Sequence, residues 1–87
     1  FRRIEYLSGF HRKHFEIAVV CYLPGEFYKE HTDFLEPSEA LLNGGQRLIT
    51  FFLWLNDVHE EDGGATSFPT LNKHFQPEKG SGLFWRN

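Results

Sequence analysis

His31, Thr32 and Asp33 are the three consecutive residues with the most chemical content in the chain. On a strand, residues i and i+2 project to the same face with Cα atoms about 6.5–7 Å apart. An imidazole and a carboxylate so placed can converge on one metal ion. With a third His from elsewhere they would make a two-histidine, one-carboxylate set that leaves the opposite face of the ion open, a geometry suited to Fe(II) and dioxygen chemistry. An isolated H-x-D also recurs by chance, and its ordinary alternative is a surface His beside a solvated Asp. The other histidines are weaker candidates. His11 and His14 share i, i+3 spacing but flank the basic pair Arg12-Lys13, His59 adjoins the acidic run Glu60-Glu61-Asp62, and His74 follows Asn72-Lys73. All four read as surface residues.

The chain that must position this triplet has 87 residues, 40% of them hydrophobic and 17% aromatic. That is too apolar for a disordered segment. Twelve acidic residues against nine basic ones give a formal charge of −3. With no basic block, this argues against a nucleic-acid partner. Cys21 is the single cysteine, so no internal disulfide can form. No apolar run reaches the length of a membrane span and no signal peptide opens the sequence, so no membrane partner is expected. A soluble protein is expected, with the cytoplasm ahead of other compartments. The chain begins at Phe1 and holds no methionine, which suggests a piece of a longer protein.

No repeat or linker divides residues 1–87, and a single domain is expected. Residues Phe1 to Leu7 suit the end of a helix stopped by Ser8-Gly9. Glu16 to Tyr22 has the β-branched composition of a buried strand, and Glu26 to Asp33 alternates well enough for a second, with Pro24-Gly25 as the turn between them. Phe34 to Gln46 reads as a long loop with at most a helical turn at Ser38–Leu42. Leu48 to Leu55 is the strongest strand, apolar on both faces and expected to be covered on both. After the turn glycines Gly63-Gly64 come a short strand over Ala65–Phe68, a turn at Pro77–Gly80 and a last strand beginning at Gly82. Short strands with Gly/Pro punctuation, and no helix long enough for a parallel crossover, predict a mainly β jelly-roll.

The string around the triplet carries a resemblance. Tyr22, Gly25, Tyr28, His31 and Asp33 reproduce the Y-x-x-G-x-x-Y-x-x-H-x-D pattern of the prolyl 4-hydroxylase-like family of 2-oxoglutarate- and Fe(II)-dependent dioxygenases. In order and in register follow Gln46-Arg47 with Thr50, Leu55-Asn56-Asp57-Val58, Gly63-Gly64-Ala65-Thr66, Phe68-Pro69, Pro77 with Gly80, and Phe84-Trp85-Arg86-Asn87. The similarity runs from about Ile17 to Asn87 and is far more specific than an H-x-D alone.

The resemblance implies a double-stranded β-helix core, cupin-like, truncated before its last strands. It assigns His31 and Asp33 as metal ligands, with the third His beyond Asn87. A basic residue that pairs with the distal carboxylate of 2-oxoglutarate is likewise expected beyond Asn87. Tyr22 and Thr50 are assigned to the 2-oxoglutarate pocket and Arg47 to the substrate entrance. Judged as residues only, Tyr22 suits a core aromatic, Thr50 an ordinary strand Thr and Arg47 a solvated cation. Trp54 departs from the family's usual Tyr or aliphatic residue, and its indole N–H can donate but not accept. The implied cofactors are Fe(II) and 2-oxoglutarate, with ascorbate as reductant. The implied partners are O2 and a peptide or protein whose prolyl residue is hydroxylated, with release of succinate and CO2.

Two other readings stand beside this one. The first is a non-catalytic jelly-roll binding module that keeps the scaffold without a complete iron site. The second is a cupin-like metalloenzyme without an oxo-acid co-substrate. The loop Phe34–Gln46 is expected to border the substrate entrance as a mobile lid with Arg47 at its hinge end.

Overall fold

The computed structural model describes every residue from Phe1 to Asn87. The chain divides into two compact units, Phe1–Thr32 and Asp33–Asn87. In the first unit, helix α1 (Arg2–Ser8) ends at Gly9, whose left-handed backbone and N–H bond to the Glu5 carbonyl cap the last turn. The Ser8-Gly9 stop is therefore real. A 3-10 turn over Arg12–His14 follows, held by Glu5, whose carboxylate accepts from the Arg12 backbone N–H at 2.8 Å and from its guanidinium at 3.1 Å. The Phe1 and Phe15 rings meet at 6.0 Å.

The two strands expected over Glu16–Tyr22 and Glu26–Asp33 do not form. Only the turn between them is as expected, with Glu26 N–H bonded to the Leu23 carbonyl at 3.0 Å. The reason is the absence of a partner: β-propensity describes fit to a paired, half-buried surface, not a preference of the isolated backbone. Here Ile17, Val19, Val20 and Phe27 are all exposed, so nothing rewards the extended ladder.

The second unit carries the sheets. Helix α2 (Pro37–Leu42) stands where the loop was expected to hold a helical turn at Ser38–Leu42, started by Pro37 in its first turn and by the Glu39 carboxylate accepting the Glu36 N–H at 3.3 Å. Its two flanks are clasped by one side chain. Gln46 accepts from the Leu35 N–H at 2.6 Å and donates to the Leu35 carbonyl at 2.9 Å, as a neighbouring strand would.

Strand β1 (Ile49–Leu53) pairs antiparallel with β4 (Gly82–Arg86), Thr50 opposite Trp85 and Leu53 opposite Gly82. Strand β2 (Thr66–Phe68) pairs antiparallel with β3 (Lys73–Phe75). Phe68 meets Phe75 at 6.1 Å and Trp85 at 5.1 Å, both edge-on, which joins the two ribbons. On β4, Leu83 and Trp85 are half-covered while Phe84 is exposed. β1 is only half-buried instead of covered on both faces, and no aliphatic or aromatic side chain in the chain is fully buried. The turn after β1 is stapled from the other side. Asp57 accepts the Lys79 N–H at 2.7 Å, and the Gln76 amide donates to the carbonyls of Val58 and Gly63. Gly63 and Gly64 both have positive φ, the turn role their types implied.

Gly82 is needed for closeness. A Cβ there would lie 2.7 Å from the Phe52 carbonyl oxygen and 2.8 Å from a Leu53 methyl. Gly82→Ala is expected to destabilise the β1–β4 ladder by about 1–3 kcal/mol, the usual range for overpacking, read as a lower urea midpoint for the whole protein.

Glu5 supplies a pH dependence. The Arg12 guanidinium, and then the Arg12 backbone N–H, hold its carboxyl below the ordinary glutamate range. A depressed folded pKa contributes stability above the unfolded value that is lost as pH falls through the folded one. Protection of the Arg12 amide against hydrogen exchange, taken relative to its pH-dependent intrinsic rate, is expected to fall as acidification protonates Glu5. In Glu5→Gln that acid-induced step disappears.

Candidate metal centre

His31 and Asp33 fall in different compact units, and each is prepared by its own surroundings. The His31 Nδ1 lies 2.7 Å from the Lys29 carbonyl oxygen. A carbonyl can only accept, so Nδ1 is the donor in this contact and Nε2 is the ring atom suited to a metal. The Tyr28 ring packs against the imidazole, centroids 3.9 Å apart, and limits its rotation. Tyr28 belongs to the motif string without an assigned role, and its aromatic neighbour three residues on was the signal for this one.

Asp33 is half-buried at the start of the second unit. Its Oδ2 accepts the Thr50 hydroxyl at 2.7 Å. Thr50, on β1, is also 2.9 Å from the Asn87 amide oxygen, and the Asn87 amide nitrogen donates to the Arg47 carbonyl at 3.1 Å. Three positions far apart in sequence, Asp33, Thr50 and Asn87, are thus gathered into one polar cluster. Asn87 received no role from the sequence; its place two residues after Trp85, on the same face of β4's extension, was the available hint.

Neither His31 nor Asp33 lies on a regular strand, so the alternation that would set them on one face is not what positions them. Each nevertheless has the outer hydrogen bond typical of a metal-binding side chain: an imidazole donating its other N–H to a carbonyl, and a carboxylate with one oxygen held by a hydroxyl. Imidazole plus carboxylate is a donor pair that suits Fe(II). No group of three or more His, Cys, Asp or Glu side chains gathers anywhere in the chain.

The remaining candidates are placed as follows. Tyr22 is 49% exposed in the first unit, so it is not a core aromatic there. The Thr50 hydroxyl is engaged within the polar cluster. Arg47 lies at the edge of an open hollow of about 360 Å³ that Leu35, Glu39, Leu42 and Asn43 also line. Trp54 is half-buried and packs edge-on against Phe52 at 5.5 Å, acting as a packing residue.

A family profile described as the 2OG-Fe(II) oxygenase superfamily matches residues 17–87. The chain belongs to this superfamily. Within it, the relatives carry prolyl 4-hydroxylase names. A protein of Acanthamoeba polyphaga mimivirus with a prolyl 4-hydroxylase assignment is 40% identical over 73 residues, covering 78% of this chain and 29% of its own length. The prolyl 4-hydroxylase subunit alpha-2 of Gallus gallus is 37% identical over 89 residues, covering 99% of this chain and 16% of the relative. The subunit alpha-1 of Homo sapiens is 36% identical over 76 residues, 83% of this chain and 14% of the relative. The 2OG-Fe(II) oxygenase chain thus spans less than a third of the relatives it matches. No solved structure matches it. The superfamily implies a jelly-roll, Fe(II) and 2-oxoglutarate, and the antiparallel ribbons of the second unit are consistent with that fold. No helix is long and apolar enough to cross a membrane.

The Gln46 clasp has a direct test. Gln46→Ala removes both bonds to Leu35, and protease cleavage between residues 35 and 46 is expected to speed up severalfold, with cleavage elsewhere unchanged.

Proposed function

We propose that this chain is the part of an Fe(II)- and 2-oxoglutarate-dependent dioxygenase that supplies two of three metal ligands, and that the whole protein hydroxylates a prolyl residue of a peptide. The observation that carries the reading is His31 and Asp33 in the family's motif string, each with an outer hydrogen bond suited to a ligand. A double-stranded β-helix completed by further strands, a third His and a basic partner for 2-oxoglutarate belong to the same proposal. Ascorbate is the reductant it implies.

His31 would bind through Nε2, its tautomer set by Lys29. Asp33 would bind as a carboxylate whose plane Thr50 fixes. When bound, Fe(II) and 2-oxoglutarate supply the oxidant, one atom of O2 ending in succinate and the other in the substrate hydroxyl, with CO2 released. Tyr22, an exposed phenol, would donate to a carboxylate of 2-oxoglutarate, and Arg47 would meet the arriving peptide at the rim of its hollow.

The test is succinate release by the whole protein with a proline-rich peptide, O2 and Fe(II). His31→Ala and Asp33→Ala are each expected to reduce it at least about a hundredfold, while Tyr22→Phe raises the 2-oxoglutarate KM by about tenfold, the worth of one hydrogen bond to a charged group. Undiminished turnover in both ligand variants overturns the assignment. A whole protein that binds peptide but never releases succinate would be a non-catalytic jelly-roll module instead.

A further inference from the structure

The backbone at Asp33 is irregular and cannot by itself aim a carboxylate. The Thr50 hydroxyl, seventeen residues on, bonds it at 2.7 Å. Thr50 is well suited to the task. It is β-branched, so its side-chain rotation is restricted on a strand, and its backbone is locked in register opposite Trp85. The ladder continues one step past β4, where the Asn87 N–H bonds to the Leu48 carbonyl at 2.9 Å. This brings the Asn87 amide to the far side of the Thr50 hydroxyl, anchored by its own bond to Arg47. The hydroxyl has one proton and two acceptors within reach, and the carboxylate is both the nearer and the stronger acceptor.

We propose that Thr50 is a positioning residue for Asp33, holding Oδ2 so that the carboxylate meets a divalent cation in one fixed orientation. This differs from a contact with 2-oxoglutarate, and it rests on the reading of Asp33 as a metal ligand. Its consequence is that the affinity of the site for metal is set partly on the β1–β4 ladder, at residues that do not touch the ion.

The test uses the whole protein, without co-substrate, and Mn(II) as a redox-inert probe titrated by calorimetry. Thr50→Val keeps the shape and strand preference but deletes the hydroxyl, and it is expected to weaken Mn(II) binding about tenfold or more, the range seen when a ligand loses its outer hydrogen bond. Thr50→Ala, which deletes the same hydroxyl without the added methyl, should weaken it equally, and Thr50→Ser should restore it to within about twofold of wild type. The far-UV circular dichroism of metal-free Thr50→Val is expected to match wild type, so the lost affinity does not reflect a lost fold. Wild-type Mn(II) affinity in both Thr50→Val and Thr50→Ala, with Asp33→Ala weakened, overturns the positioning role alone. Wild-type affinity in Asp33→Ala overturns the ligand reading and the inference with it.

Discussion

The antiparallel ladder between β1 and β4 is the interaction on which the rest of Asp33–Asn87 depends. It joins residues 29 to 37 apart in sequence, and it carries Thr50 and Asn87, the two partners through which Asp33 enters the polar cluster. Thr50 is in β1, Asn87 extends β4, and the ring of Trp85 that meets Phe68 sits directly opposite Thr50. The close approach at Gly82 and the bonds of Trp54 to Ser81 and Gly80 carry the pairing to its other end. If the ladder slipped by one residue, Thr50 would turn to the opposite face and Asp33 would lose the Thr50 hydroxyl.

A second constraint is the small amount of apolar burial. With no aliphatic or aromatic side chain fully buried, backbone and side-chain hydrogen bonds carry an unusual share of the local order. Gln46 closes the turn around α2, Gln76 and Asp57 close the turn after β1, and Glu5 closes the α1 junction. Each uses a polar side chain to satisfy backbone groups that would otherwise rely on solvent. The same device serves the candidate ligands, since the Lys29 carbonyl selects the His31 tautomer and the Thr50 hydroxyl holds Asp33. In the function proposed for this chain the two bonds share a purpose, because metal ligands work best when their outer contacts allow one orientation.

Local chemistry alone determined a good part of this molecule. The Ser8-Gly9 stop, the Pro24-Gly25 and Pro77–Gly80 turns and the Gly63-Gly64 pair need only a few adjacent residues, and all appear where their types place them. Strands β1, β2 and β4 were legible because apolar runs bounded by turn residues have few other outcomes. The order of His31 and Asp33 within the motif string was legible for the same reason, being a property of the linear chain. Strand β3 was not. Its three residues, Lys73–Phe75, are too few for a period, and it depends on the Pro69–Leu71 turn and on Asn72 at φ 52° to bring it back against β2.

Tertiary structure decided what local signals could not. The segments Glu16–Tyr22 and Glu26–Asp33 have the composition of strands, yet a strand exists only when another supplies its ladder, and these residues have none. The helical turn expected at Ser38–Leu42 became helix α2 because Glu39 caps its start and the Gly45 N–H reaches back to the Ala40 carbonyl at its end, while Gln46 ties the flank through Leu35. The direction of the Thr50 side chain, toward Asp33 and Asn87, was set by its pairing with Trp85, 35 residues on. Sequence therefore named the residues able to do chemistry, and the ladder chose their hydrogen-bond partners, because residue type is local whereas strand pairing and side-chain contact are not.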